Sequence, residues 1–221
     1  MCSHLEDIVR NICESTSTSE DAIISIHNYV RDNIEFGFTT KFESVTPEET
    51  IKNKIGHCNA QADLLVKMFR IAGYESRLRF VYISKKILKN AIPLPIYALL
   101  PKKLYHAVSE VKFKRWISLD SYIMPKVQFD KQMNRLVASG LEVGFGLHHK
   151  STYNCDIHNN SFSQAMQEDL YKEDIIYNTL AEAEKKSGNK IFGVHFNSLL
   201  KPINILLNKP FSLYINRTIK R

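Results

Sequence analysis

Apolar residues along this chain recur at helical spacing in two stretches and at strand spacing in three. Ile23, Ile26, Val30 and Ile34 share one face of a helix that opens at Ser17-Thr18-Ser19-Glu20, which reads as a capping box. Thr46-Pro47-Glu48-Glu49 opens a short second helix, with a cap threonine, proline at the first helical position and glutamate at the third, ending near Gly56. After Gly56-His57-Cys58, residues Leu64, Leu65, Met68, Phe69 and Ala72 form an amphipathic stripe that Gly73 stops. The β-branched and aromatic run from Leu78 to Ile83 predicts a strand. Leu104 to Phe113 alternates, and Trp116 to Leu119 follows a short basic turn, which predicts a hairpin centred near Phe113.

Residues 84–103 break this order. Pro93, Pro95 and Pro101 sit among Ile92, Leu94, Ile96, Tyr97, Leu99 and Leu100, with lysine pairs at both ends, a composition that predicts a loop or short turns. Such an insert suits a loop folded over a site, where it binds an acyl or peptide chain. A membrane-surface contact and packing against the C-terminal part are the other readings. Beyond Pro125 the pattern weakens. Phe162 to Lys186 reads as one long or broken helix ended by Gly188, and the apolar patches at 199–200, 203–207 and 211–215 fit either helix or strand. The expected organisation is a core over residues 1–125, carrying the insert, and an extension over 126–221 packed on the same domain.

Composition narrows the class. With 221 residues, 44% hydrophobic and 24% charged, the chain matches ordinary globular usage and neither disordered nor fibrous proteins. No stretch approaches the ~20 apolar residues of a membrane span. The start, Met1-Cys2-Ser3-His4-Leu5-Glu6-Asp7, resembles neither a secretory signal nor a myristoylation site. Four widely spaced cysteines read as free thiols in a reducing, cytoplasmic setting. The net charge of +7 is scattered and accompanies no nucleic-acid motif, so no nucleic-acid partner is expected. His148, His149, Cys155 and His158 lack the paired spacing of zinc ligands; neither a metal nor a cofactor is expected.

The chemistry concentrates at Cys58. A nucleophilic cysteine works as the thiolate, and the open N–H groups and dipole of a helix start favour that form. The same N–H groups supply half of an oxyanion hole. His106 begins one hairpin strand and Asp120 ends the other; in a hairpin centred near Phe113 they face each other roughly 4.5–5.5 Å apart. That makes Cys58 nucleophile, His106 base and Asp120 orienter. Asn33, Asn53 and Gln61 are available as the second oxyanion donor, with Asn33 preferred. His57 and Tyr105 flank the triad residues and are candidates for the substrate groove. Trp116 either packs in the hairpin or lines that groove.

Two segments carry a family likeness. GHCNAQADLLVKMFRIAGYESR, residues 56–77, resembles the nucleophile helix of the transglutaminase-like superfamily of papain-fold cysteine enzymes. HAVSEVKFKRWISLD, residues 106–120, resembles its His-Ala, Glu-Val, tryptophan and Leu-Asp pattern. The likeness covers residues 20–125 and implies an α+β, papain-like fold in which a helix-borne Cys58 packs on an antiparallel sheet bearing His106 and Asp120. Members cross-link or deamidate glutamine, cleave peptide or glycan amides, or join acyl groups to amines, and some have lost activity. The implied function is amide hydrolysis or acyl transfer through an acyl-enzyme, with a peptide, protein or acyl substrate. A catalytically silent module binding protein or lipid, and a small-molecule acyltransferase, are the alternatives. The insert and the extension lie outside the family pattern.

Overall fold

The computed structural model describes residues 4–120, 124–166, 169, 175–186, 190–191 and 194–195. Two helices lead, α1 (His4–Glu14) and α2 (Ser19–Asn33). The cap of α2 is Thr18, one residue later than the sequence suggests, and its hydroxyl accepts from Asp21 N–H at 3.1 Å. Strand β1 (Glu35–Phe36) runs parallel to β2 (Ile55–Gly56), with α3 (Pro47–Asn53) between them. The capping box at Thr46 and Glu49 has both of its arms. Helix α4 (Cys58–Ile71) follows, then β3 (Ser76–Ser84), a 3-10 turn at Lys85–Leu88, α5 (Leu94–Leu99), β4 (Lys103–Lys112) and β5 (Trp116–Asp120). Farther on come α6 (Lys126–Ala138), the small ladder of β6 (Val143–Gly144) with β7 (Leu147–His148), β8 (Ser161–Phe162), β9 (Ile175–Tyr177), α7 (Leu180–Lys186), and the β10 (Lys190–Ile191) and β11 (Val194–His195) pair.

The central sheet has the order β8-β5-β4-β3-β9 and is antiparallel except for the β5–β8 pair. Side-chain alternation along β4 sorts its two faces. Tyr105 and Ala107 pack with Val66 of α4 and with Leu78 and Phe80, while Val108 joins Val81, Ile83, Ile87 and Ala165 on the other side. Outside α4 lies the main cluster, Val9, Ile23, Ile26, Val30, Leu64, Met68 and Phe69. Phe69 is fully buried there, and its truncation to alanine costs about 3–5 kcal/mol. This is the α+β architecture with a helix on an antiparallel sheet.

Three local expectations need correction. Residues 162–186 do not form one helix. Ser161-Phe162 pairs with β5 and Ile175–Tyr177 with β3, so both sheet edges come from beyond residue 125. Isoleucine, tyrosine and phenylalanine suit a half-buried sheet edge, and that pairing prevails over helical spacing. The insert folds into short turns, but six of its residues form a true helix, α5, with proline in its first turn. The β4–β5 hairpin turns about Lys114, with Ser109 opposite Leu119 and Lys112 opposite Trp116. Gly188 and the patches at 199–200, 203–207 and 211–215 lie outside the described residues. Among the described residues no helix is long and apolar enough to cross a membrane.

Candidate active site

Cys58 is the first residue of α4, and the cap residue His57 makes no side-chain bond to the helix. The N–H groups of the first turn therefore keep their partial positive charge for whatever sits at the sulfur. Gly56 is needed immediately before: a Cβ there would stand 3.0 Å from Thr50 Cγ2 and 3.2 Å from Gln61 Cγ. Gln61 itself donates to the carbonyls of Ile34 and Gly56, fixing the approach of the chain to the helix.

The helix start reaches β4 through Asn59. β5 pairs only with residues 109–112 of β4, so the backbone at 105–107 lacks a strand neighbour on that edge. The Asn59 side chain takes the place, accepting from Ala107 N–H at 2.9 Å and donating to the Tyr105 carbonyl at 3.3 Å. His106 lies between the two. Its Nε2 donates to Asp120 Oδ1 at 2.7 Å, and both side chains are buried. The other ring nitrogen, Nδ1, has no oxygen or nitrogen partner. The Cys58 thiol is close enough to act on the ring by hydrogen bond and by charge. Burial alone would push the imidazole's pKa down; the Asp120 carboxylate, and then Cys58, outweigh it and raise the pKa to about 10.

Asp120 is held from the opposite side. Its Oδ2 accepts from three consecutive backbone N–H groups, Ser163 at 3.4 Å, Gln164 at 2.9 Å and Ala165 at 2.7 Å. Such a nest keeps a carboxylate in place. The residues beyond 125 thus complete the surroundings of Asp120.

Glu43 forms a second buried network that sequence spacing did not reveal. It receives His57 Nε2 at 3.0 Å and the Asn59 amide at 3.1 and 3.2 Å. The Phe38 ring stacks on His57 at 5.2 Å. Phe42, just before Glu43, adopts a φ of 46°, which costs a residue with a Cβ about 1–2 kcal/mol. Beside Cys58 and His106 opens a cavity of about 100 Å³, walled by Phe36, Phe38, Ile87, Leu88, Ile92, Ile96 and Leu100 among others. The insert supplies five of those seven side chains.

His57 and Tyr105, the two groove candidates, border this cavity, and both are buried. Two expected site residues stand elsewhere. Asn33 spends its amide on the Tyr29 carbonyl one turn back, at the exposed end of α2. With its amide engaged there, Asn33 is not among the residues lining the cavity beside Cys58. Trp116 sits at the far end of the hairpin, under the Arg77 guanidinium at 4.0 Å, and does not line the cavity. Of the other oxyanion candidates, Asn53 is exposed on α3 and Gln61 spends its amide on the carbonyls of Ile34 and Gly56. Of the histidine-rich segment, His158 pairs with Glu20 at 3.0 Å and Cys155 packs against the main cluster. Among the described residues no three histidine, cysteine or acidic side chains are grouped to hold a metal.

The family model described as the transglutaminase-like superfamily matches residues 6–121, more than half of the chain. Comparison with curated proteins finds no match. A solved structure from Cytophaga hutchinsonii, described as a "putative cysteine protease", aligns over 52% of this chain and 35% of its own, at 17% identity and a TM-score of 0.40.

Proposed function

The chain belongs to the transglutaminase-like superfamily, and from that premise we propose that it is a cysteine enzyme with Cys58 as nucleophile, His106 as base and Asp120 as orienting acid. One observation carries the reading. The imidazole of His106 is bound to Asp120 through one nitrogen and left open at the other, next to a cysteine at a helix start.

The reaction follows from those positions. His106 takes the thiol proton, and the Cys58 sulfur attacks the carbonyl carbon of an amide or thioester. The helix-start N–H groups stabilise the oxyanion that forms. His106 then returns the proton to the leaving amine or thiol, and the acyl-enzyme remains. Water or an amine attacks it next, giving hydrolysis or transfer. Asp120 keeps the ring oriented throughout and stabilises its charged form.

Iodoacetamide labelling at pH 7 tests the assignment. Cys58 should react at least about tenfold faster than the other three cysteines, because the His106 imidazole stands ready beside it to take the thiol proton. His106→Ala should bring its rate down to theirs. Equal rates in the unaltered protein would overturn the proposal.

A further inference from the structure

The cavity beside Cys58 has a chemistry of its own. Phe36, Phe38, Ile87, Leu88, Ile96 and Leu100 make it almost wholly apolar, and Glu43, Asn59 and Gln164 on its wall are already engaged. Glu43 holds His57 and Asn59, Asn59 spans the backbone at 105–107, and the Gln164 amide donates to the Gly146 carbonyl at 3.1 Å. Two ring nitrogens there have no oxygen or nitrogen partner, and of these His106 Nδ1 faces Cys58 and belongs to the reaction; His57 Nδ1 alone is less than the donor and acceptor of a peptide link require. An amide entering this space would lose its water without regaining hydrogen bonds, whereas a hydrocarbon chain loses nothing.

We propose that this cavity is an acyl-chain site, and that the donor to Cys58 is a short straight-chain aliphatic acyl group carried as a thioester. The inference rests on Cys58 being the nucleophile and narrows what it attacks. A cavity of 150 Å³ lined by aliphatic and aromatic side chains takes benzene, so about 100 Å³ takes a chain of roughly four carbons. The wall is held for the purpose. Ile96 and Leu100 face the cavity while Leu94 and Leu99, at 76% and 61% exposure, face away. Lys85 Nζ donates to the carbonyls of Tyr97 and Leu100 and ties down the end of α5.

The step balances without any added redox partner. The Cys58 thiolate attacks the thioester carbonyl, the new carbon–sulfur bond to Cys58 forms, and the bond to the carrier sulfur breaks. The carrier thiolate leaves with the proton that His106 took from Cys58. Water or an amine later releases the acyl group and restores the thiol.

The test uses the full chain and N-acetylcysteamine thioesters from acetyl to decanoyl, read by thiol release and by intact mass of the acylated protein. The expected kcat/KM rises about fourfold per methylene as far as butanoyl to hexanoyl, then falls. Ile96→Trp and Leu88→Phe, which fill the cavity from two different wall segments, each move the optimum to acetyl or propionyl. A flat length profile, or an optimum that neither variant moves, overturns the proposal. So does acylation by glutamine peptides with the thioesters silent. In these cases rapid iodoacetamide labelling of Cys58 would leave the nucleophile assignment standing; labelling no faster than at the other cysteines would sink both.

Discussion

Asn59 and Ala107 are joined by a 2.9 Å hydrogen bond that ties the start of α4, which carries Cys58, to β4, which carries His106. The same side chain donates to the Tyr105 carbonyl and to Glu43, so one amide bridges three segments in a buried setting. Asn59→Ala leaves the strand backbone and the Glu43 carboxylate short of partners, which costs about 2–4 kcal/mol. Urea denaturation should show that loss, and Cys58 labelling should slow together with it. Asn59→Asp keeps the shape but sets a second carboxylate against Glu43. It should fold better at acid pH than at neutral pH, and equal stability of the two variants at pH 8 would contradict this account.

Asp120→Asn keeps an oxygen for the N–H groups of residues 163–165, so the fold should persist. The imidazole loses its carboxylate and is left mainly with burial, which pushes its pKa down. NMR titration should move His106 from about 10 to below its ordinary 6.5. Turnover should fall by about 10³–10⁴-fold, the effect of a wrongly held tautomer. The stability signature has a definite sign. A raised imidazole pKa contributes stability that is complete below pH 6.5 and is lost as pH rises through about 10. Thermal melts should show that alkaline loss in the natural chain and not in Asp120→Asn.

The sequence reveals more of the fold than of the site. Local signals, a stripe of leucines after Gly56-His57-Cys58 and alternation on either side of a basic turn, were enough to expect α4, β4 and β5, because each is written within a dozen residues. The hairpin centre shows the limit. Placing it at Phe113 sets His106 directly across from Asp120, but the Phe113 N–H donates to the Arg115 carbonyl and the turn centres on Lys114. Ser109 then faces Leu119, which carries Asp120 toward Val108, and the acid meets the imidazole diagonally through its side chain. Glu43, Asn59 and the 163–165 nest were not legible. Their contacts join segments 14 to 48 residues apart and leave no periodic trace. Asn59 had one available signal, its place directly after Cys58.

Trp116 separates a structural role from a site role. Its ring lies under Arg77, whose Nε pairs with Glu110 at 2.6 Å, at the end of the hairpin away from Cys58. Trp116→Ala should cost about 1–2 kcal/mol from the lost cation–π contact and ring burial. Its acylation kinetics should match those of the unaltered protein. A fall in kcat/KM beyond threefold, with the fold intact by circular dichroism, would put Trp116 back among the substrate contacts.

Asp63 gives a stability prediction independent of catalysis. It lies on α4, is buried, and accepts from Leu180 N–H of α7 at 3.1 Å. Burial raises its carboxyl from 3.8 to about 6, although the Leu180 bond and Arg70 oppose the shift. The folded chain therefore holds a proton that the unfolded chain gives up between about pH 4 and 6. Stability from this group is greatest below that window, falls as pH rises through 6, and stays low above it. The cost is on the order of 2–3 kcal/mol. Asp63→Asn keeps an acceptor for Leu180 and never ionises. Its advantage over the natural chain should grow from pH 4 to 6 and then level off, measured by urea denaturation at fixed ionic strength. Differencing the two proteins cancels the other carboxylates that titrate in the same range, such as Asp156, whose pKa is lowered by the Asn159 amide and the His158 N–H. A difference independent of pH would mean that the buried carboxyl titrates normally.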